Sequence, residues 1–451
     1  MKKSLFSVLA LVFCTFAILS CDKDDKKDDN RKEGADKYLT LVEQQEKIGS
    51  LSQQLAEKID LTPVQDALAM LSGLEDLPFD QIAEAARKDR VFGQIIDQFE
   101  EMESTDGNVV LDLSKLKYRF KLNFVPQGVG ATGTVAVTPV FELLSSNHDR
   151  FQIDMDHEGH LLSLWLKGEG NMTTVQYSDE EESHDISVPN TIILGLDCDG
   201  SSMLGATLNT DTDLKITYHE VYESLDSYDG NESYYTIDCG RLNLNVTLNV
   251  VQYALNASFQ YSSDSGLKVS AILSDIASKL ELLKVNAGLD GTLKKEMRLD
   301  ESELMAWIMD TKSFRKLWAD VSLLSEETSF KVTLDNPFDG IPAKDRAEYM
   351  RYMDSEEDMP EELRLRLINQ IMPYLNNGIY FKDYSPAQSK VVAKATDGGS
   401  MELFVESCDP KSEESMPLRD FFLTDKVNES FAVILQKVLP IIGMLQSLVN
   451  N

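Results

Sequence analysis

Asp154-Met155-Asp156-His157-Glu158-Gly159-His160 is the densest run of potential metal ligands in a chain that holds only five histidines among 451 residues. His157 and His160 lie three apart, and Asp154 and Asp156 precede them on alternate positions. A zinc ion needs about four convergent ligands in tetrahedral geometry, and a catalytic zinc keeps one position open. The flanks argue for a simpler role. Phe151-Ile153-Met155 before the run and Leu162-Leu164-Leu166 after it alternate as strands do, which makes the run the tip of a hairpin, where Asp, His, Glu and Gly are expected as solvated turn residues. A turn is therefore the first reading and a metal site the second.

Other constellations are weaker. Asp197-Cys198-Asp199-Gly200 and Asp211-Thr212-Asp213 offer carboxylates to calcium but lack the spaced acids and terminal glutamate of an EF-hand loop. Gly128 to Gly133 matches G-x-G-x-x-G, yet Thr134-Val135-Ala136-Val137-Thr138-Pro139 follows where a pyrophosphate site requires a helix. The segment reads as a connection between strands. Neither G-x-S-x-G nor H-E-x-x-H occurs, and with 76 acids a paired-carboxylate site cannot be singled out. Lys115, Lys117, Arg119 and Lys121 form a basic row on one expected strand face. That row suits an acidic glycan or a partner, and equally suits cross-strand pairing with the chain's own acids.

Of the five cysteines, Cys198 and Cys239 sit in similar settings, each at an expected strand end, and are candidates for a disulfide or for unpaired thiols; Cys408 stands apart. Cys21 lies at a seam. Upstream, Lys2 and Lys3 precede an apolar run from Leu5 to Leu19 broken only by Ser7, Cys14 and Thr15. That pattern reads as a secretory signal, about 15 residues long and short of the roughly 20 a bilayer span needs. Downstream, Asp22 to Lys32 contains no apolar side chain and cannot offset the entropy of folding.

Leu19-Ser20-Cys21 resembles the lipobox of bacterial lipoprotein precursors, with the commonest leucine displaced by Ala17-Ile18. The resemblance covers only about the first 30 residues. It implies cleavage before Cys21, covalent lipid on that cysteine as the sole non-protein group, and membrane attachment of an otherwise water-soluble body. Burial of acyl chains contributes about 0.8 kcal/mol per methylene, so two or three chains hold where one would leak. Asp22-Lys23-Asp24-Asp25 further resembles the acidic export signal of surface-displayed lipoproteins in Bacteroidota. That likeness implies an outer-membrane, surface-exposed location at the end of a tether reaching at most roughly 45 Å.

The net charge of -33 opposes nucleic-acid binding, which needs clustered Lys and Arg, and repels anionic lipid. With 42% hydrophobic residues the chain has material for real cores.

The elements expected to hold these residues are of two kinds. Over 36–104, Leu41, Ile48, Leu51, Leu55 and Ile59 recur on one helical face. Thr62-Pro63 opens a second helix with a stop near Gly73, and Phe79, Ile82, Ala86, Phe92, Ile95, Ile96 and Phe99 mark a third. From Val109 the period turns to two, in runs such as Leu242-Leu244-Val246-Leu248-Val250 and Tyr253-Leu255-Ala257-Phe259-Tyr261. Trp307, Ile308, Leu317, Trp318 and Val321 stand at helical spacing. After Pro342 helices are expected to dominate around one hairpin turning at Asp397-Gly398-Gly399, and Val427 to Leu448 reads as a buried closing helix kinked at Pro440.

The expected fold is α+β. After the signal (1–20) and the lipidated tether (21–35) come a helical segment (36–104), an antiparallel β-meander domain (105–335) and a helix-rich C-terminal region (336–451). The expected role is non-enzymatic binding of, or structural support for, an envelope protein, glycan or apolar ligand. A first rival is a carrier of lipid or another apolar ligand in a cavity lined by Leu244, Leu248, Leu255 and Phe259. The second rival is an envelope hydrolase using the Asp154–His160 run.

Overall fold

A computed structural model describes residues 37–72, 77–102, 109–129, 135–157, 159–178, 183–221, 232–292, 296–298, 314–336, 341–353, 360–384, 386–395 and 401–450. Cys21, the signal and the tether lie outside them, as do Gly73, Trp307, Ile308 and the turn at Asp397. The fold mixes α and β, with extensive sheet and a few helices. Its described residues fall into two compact units: one drawn from Met1–Gln65, Asp264–Leu293 and Asp300–Ser447, the other from Asp66–Ser263, Lys294–Leu299 and Leu448–Asn451.

Four helices open the described chain: α1 (Leu41–Lys58), α2 (Thr62–Ser72), α3 (Phe79–Lys88) and α4 (Arg90–Met102). Thr40 and Glu43 form a reciprocal capping box at the start of α1. The single helix expected over Phe79–Phe99 is two, because the Asp89 carboxylate accepts the amides of Val91 and Phe92 at 2.9 and 2.8 Å and so starts α4 afresh. Gly93 permits the tight corner: a Cβ there would lie 2.7 Å from the Arg87 carbonyl oxygen. Thr62 is the first residue of α2, and the Asp60 carboxylate just before the helix accepts its amide at 3.1 Å.

The second unit continues with β1 (Val109–Val110), a 3-10 turn (Leu113–Lys115), β2 (Arg119–Val129), β3 (Val135–Ser145), β4 (Phe151–His157), β5 (His160–Ser178), β6 (Ser183–Cys198), β7 (Ser201–Thr212), β8 (Lys215–Val221), β9 (Glu232–Asp238), β10 (Arg241–Val250) and β11 (Tyr253–Ser262). β4, β5, β6, β7, β10 and β11 pair antiparallel in that order. The β8–β9 hairpin leaves this succession and lies parallel to the far end of β5. β2 pairs antiparallel with β3 and parallel with β4; Gly128 itself lies on β2, and the glycine run from Gly130 on, expected as a connection, lies outside the described residues. Helices α3 and α4 cover β2–β4 through Ala86 and Ile95 against Phe120, Leu122 and Phe141. The Phe92 ring there lies 5.0 Å from that of Phe120 and 4.8 Å from that of Phe141.

The first unit holds β12 (Gly266–Asp275), β13 (Leu280–Gly291), β15 (Phe314–Leu323) and β16 (Thr328–Asp335); the short β14 (Glu296–Arg298) pairs with β9 of the second. Then come α5 (Ala343–Met353), α6 (Glu361–Ile371), β17 (Leu375–Phe381), β18 (Ser389–Ala395), β19 (Met401–Ser407), β20 (Ser415–Pro417), α7 (Leu418–Phe422) and α8 (Asp425–Asn450). Each strand of this unit pairs antiparallel with the next. Leu317, Trp318 and Val321, expected on a helix, lie on β15. Their spacing fits both periods, and pairing on both sides, to β13 and β16, makes the segment a strand. Beyond Pro342, β17 and β20 flank the anticipated hairpin, so this part supplies strands as well as helices.

Its core joins Leu39, Leu41 and Ile48 to Ile379, Phe381, Val391 and Val405, and to Phe421, Phe422 and Val427. A polar clasp crosses it. Gln388 accepts the Leu39 amide at 2.7 Å and donates to the Lys37 carbonyl at 3.4 Å, while Gln44 bonds the carbonyls of Leu39 and Gln388 and accepts from Ser389 at 2.7 Å. α8 is buried at its start, whereas Val433, Leu435 and Leu439 are exposed, so the closing helix is not buried throughout its described length. Lys437 on α8 caps α1 by donating 2.6 Å hydrogen bonds to the carbonyls of Ala56 and Ile59. No described helix is long and apolar enough to cross a membrane.

Candidate functional site: the hairpin tips and the open sheet face

Strand alternation separates the four candidate ligands of the 154–160 run. Asp154 opposes Ser163 and Asp156 opposes Leu161 on one face of the sheet; His157 opposes His160 on the other. Each acid also has its own work. Asp154 is 2% exposed and accepts three hydrogen bonds of 2.7 Å, from Arg119 Nε, Gln152 Nε2 and Ser163 Oγ. Burial alone would raise its pKa, but the donors Gln152, Ser163 and Arg119 together outweigh burial and hold the carboxyl below its ordinary value. Asp156 pairs with Lys121 at 2.8 Å. The expected quartet Asp154, Asp156, His157 and His160 therefore does not converge on one ion.

The basic row breaks up as well. Lys115 belongs to the 3-10 turn and pairs with Asp112 at 3.1 Å, Lys117 lies in the connection after it, and only Arg119 and Lys121 stand on β2. Asp112, which also accepts from Ser114, holds the turn that delays the strand. The cations on β2 are engaged with β4 acids.

Beside Asp154 the same polar face carries a stacked arrangement. The Arg150 guanidinium lies 4.2 Å over the Trp165 ring and 3.5 Å from Asp197, and Trp165 Nε1 donates to Asp197 at 3.1 Å. Trp165 covers its register partner Gly195, where a Cβ would come within 2.2 Å of the indole. Farther along, Asn209 opposes Asn245, and Thr207 opposes Thr247.

The opposite face is apolar from β5 to β11. Leu164, Leu194, Leu204, Leu208, Leu248 and Leu255 share it by register, and each is more than a third exposed, Leu164 to 53% and Leu194 to 48%. Leu244 and Phe259 oppose one another on the same face. Of the four residues weighed as lining a solvent-accessible apolar pocket, Leu248 and Leu255 are exposed on this face and Leu244 and Phe259 are half-buried on it. Tyr261 also belongs to it, and burial pushes its phenol up to about 12. A small cavity of about 30 Å³ lies in the other unit, among Ile48, Val321, Leu323, Phe330, Ile379 and Phe422. That is room for one water molecule.

At the end of the open face two hairpin tips meet. Asp199 and Gly200, both with positive φ, turn β6 into β7. Asp199 accepts the Leu161 amide at 2.9 Å and bonds His160 Nδ1 at 2.8 Å, and the His160 bond is the main cause of its lowered pKa. Cys198 stands beside them, its thiol pushed up by burial and then by the Asp199 charge. Cys239 is buried and its thiol lies 3.8 Å from Asp213. Cys198, Cys239 and Cys408 are all free, so the disulfide weighed between Cys198 and Cys239 is not formed. The acids weighed for calcium are likewise partnered: Asp211 with Arg241 at 2.9 Å, Asp213 with the Arg241 amide at 2.7 Å. Sequence reasoning passed over the exposed leucine face because an alternating strand looks the same whether its apolar side is covered or bare.

Comparison with family models, with curated proteins and with solved structures returns no match for this chain.

Proposed function

We propose that the protein is a lipid-anchored component of the bacterial cell envelope, displayed at the outer membrane, whose central sheet binds the acyl chains of a lipid without transforming them. The observation that supports this reading is the row of exposed leucines from Leu164 to Leu255 on one face. Contiguous exposed apolar surface on this scale marks an interaction site. The face offers leucine, valine and alanine and little that forms hydrogen bonds, so it suits an occupant that brings none. An acyl chain meets that description better than a protein surface, whose partners use hydrogen bonds and charges to fix register. Membrane attachment through lipid on Cys21, at the end of a short acidic tether, would hold the face near a source of such chains.

The test is displacement of a fluorescent fatty acid from the purified chain. Binding should disappear in Leu194→Asp and Leu248→Asp variants that keep the wild-type circular dichroism spectrum. Binding that survives both changes would overturn the reading, as would a stable dimer whose dissociation by the same changes shows a second copy to be the occupant. Mass spectrometry of native material tests the anchor separately, with an acylated Cys21 terminus expected.

A further inference from the structure

We propose that His160, Cys198 and Asp199 form a binding site for a divalent transition-metal ion of the zinc class, clasping the tip of the β4–β5 hairpin to that of β6–β7. One ligand atom from each of the three residues lies within 4.8 Å of the others. Imidazole, thiolate and carboxylate together select zinc and its neighbours, whereas calcium and magnesium demand oxygen alone. The backbone holds the donors in place. Leu161 donates to one oxygen of Asp199 and leaves the other directed at His160. The Asp199 amide in turn donates to the Leu161 carbonyl at 2.9 Å, tying the two tips together. Such outer hydrogen bonds orient metal ligands.

His157 opposes His160 in register, on the same face, and its Nε2 is buried with no hydrogen-bond partner. It is not one of the three converging atoms, so the trio supplies three protein ligands and leaves the fourth position to solvent. The His160 and Asp199 side chains are about half exposed, so the ion has a path from solvent. Binding releases the Cys198 proton to solvent as the metal–sulfur bond forms, and affinity therefore falls as pH is lowered.

The full chain, stripped with a chelator, is titrated with Co²⁺ and then with Zn²⁺. The expected result is a thiolate-to-cobalt charge-transfer band in the near ultraviolet, bleached by Zn²⁺, with dissociation constants roughly micromolar or tighter. Cys198→Ser should abolish the band, and His160→Ala and Asp199→Asn should each weaken binding at least about tenfold. Cys239→Ser and Cys408→Ser should leave it unchanged. Circular dichroism separates loss of ligand from loss of fold; these side chains sit at half-exposed hairpin tips, and two of the three ligand variants with native spectra suffice. Absence of the band in the wild-type chain, or its persistence in Cys198→Ser, would overturn the site.

Discussion

In one unit Trp165 lies over Gly195 and gives its indole N–H to Asp197; in the other Trp318 lies over Gly288 and gives its N–H to Asp290 at 3.3 Å. Both tryptophans face a Gly-Leu-Asp run on the neighbouring antiparallel strand, in the same register. The reverse sides of these sheets differ. Behind Trp318, Ala319, Val321 and Leu323 are buried, and Ile48 of α1 and Phe422 of α7 close over them and β16–β17. Behind Trp165, Leu164 and Leu194 face solvent although Leu162 and Leu196 on the same face are buried, and the cluster that α3 and α4 form is with β2, β3 and β4. One strand pattern thus makes a core where helices are supplied and a bare apolar wall where they are not.

Substitutions on the two reverse faces sharpen or break this contrast, and urea unfolding followed by tryptophan fluorescence reads them. Ile379→Ala, deep in the covered face, should cost about 2–5 kcal/mol, the usual penalty for emptying a core site. Asp154→Ala strands three donors at once and should cost about 2–4 kcal/mol, each orphaned group contributing roughly 1–3 less what water recovers. Gly195→Ala pushes a methyl into the Trp165 ring and should cost about 1–3 kcal/mol, with Gly288→Ala at the lower end of that span. Its Cβ would stand 2.6 Å from the indole, against 2.2 Å for Gly195. Leu194→Ala should stay within about 0.5 kcal/mol. A loss equal to that of Ile379→Ala would show that the bare wall is a core after all.

Acid provides a further probe. Asp154 has its folded pKa below the unfolded one, so the unfolded chain binds more protons between the two values. Its contribution is complete above the unfolded pKa of about 3.9 and is lost as pH falls toward the folded value. Asp154→Asn should therefore flatten the acid limb of the stability curve.

Much of the β structure was legible because alternation is a local signal: the hairpin at 154–160 and the pair joining Val391 to Val405 follow from residues two apart. The helix break at Asp89 was legible in principle, since an acid three places before an apolar residue is an N-cap, but the apolar stripe runs through it unbroken. Leu317, Trp318 and Val321 satisfy two periods, and only pairing to β13 and β16 decides between them. Of the candidate site, His160 was named from sequence while Cys198 and Asp199 were considered for other roles. Their meeting depends on a register between segments nearly forty residues apart, and no local pattern records it.

The clasp of Gln44, Gln388 and Ser389 sits where the expected leash enters the folded body. Under the proposed anchoring, tension on the membrane-bound end would arrive first at the hydrogen bonds holding Lys37 and Leu39 to Gln388, residues separated by some 350 positions along the chain. A pull at the amino terminus would thus be met at once by the carboxy-terminal strands, before any helix of the body is peeled away.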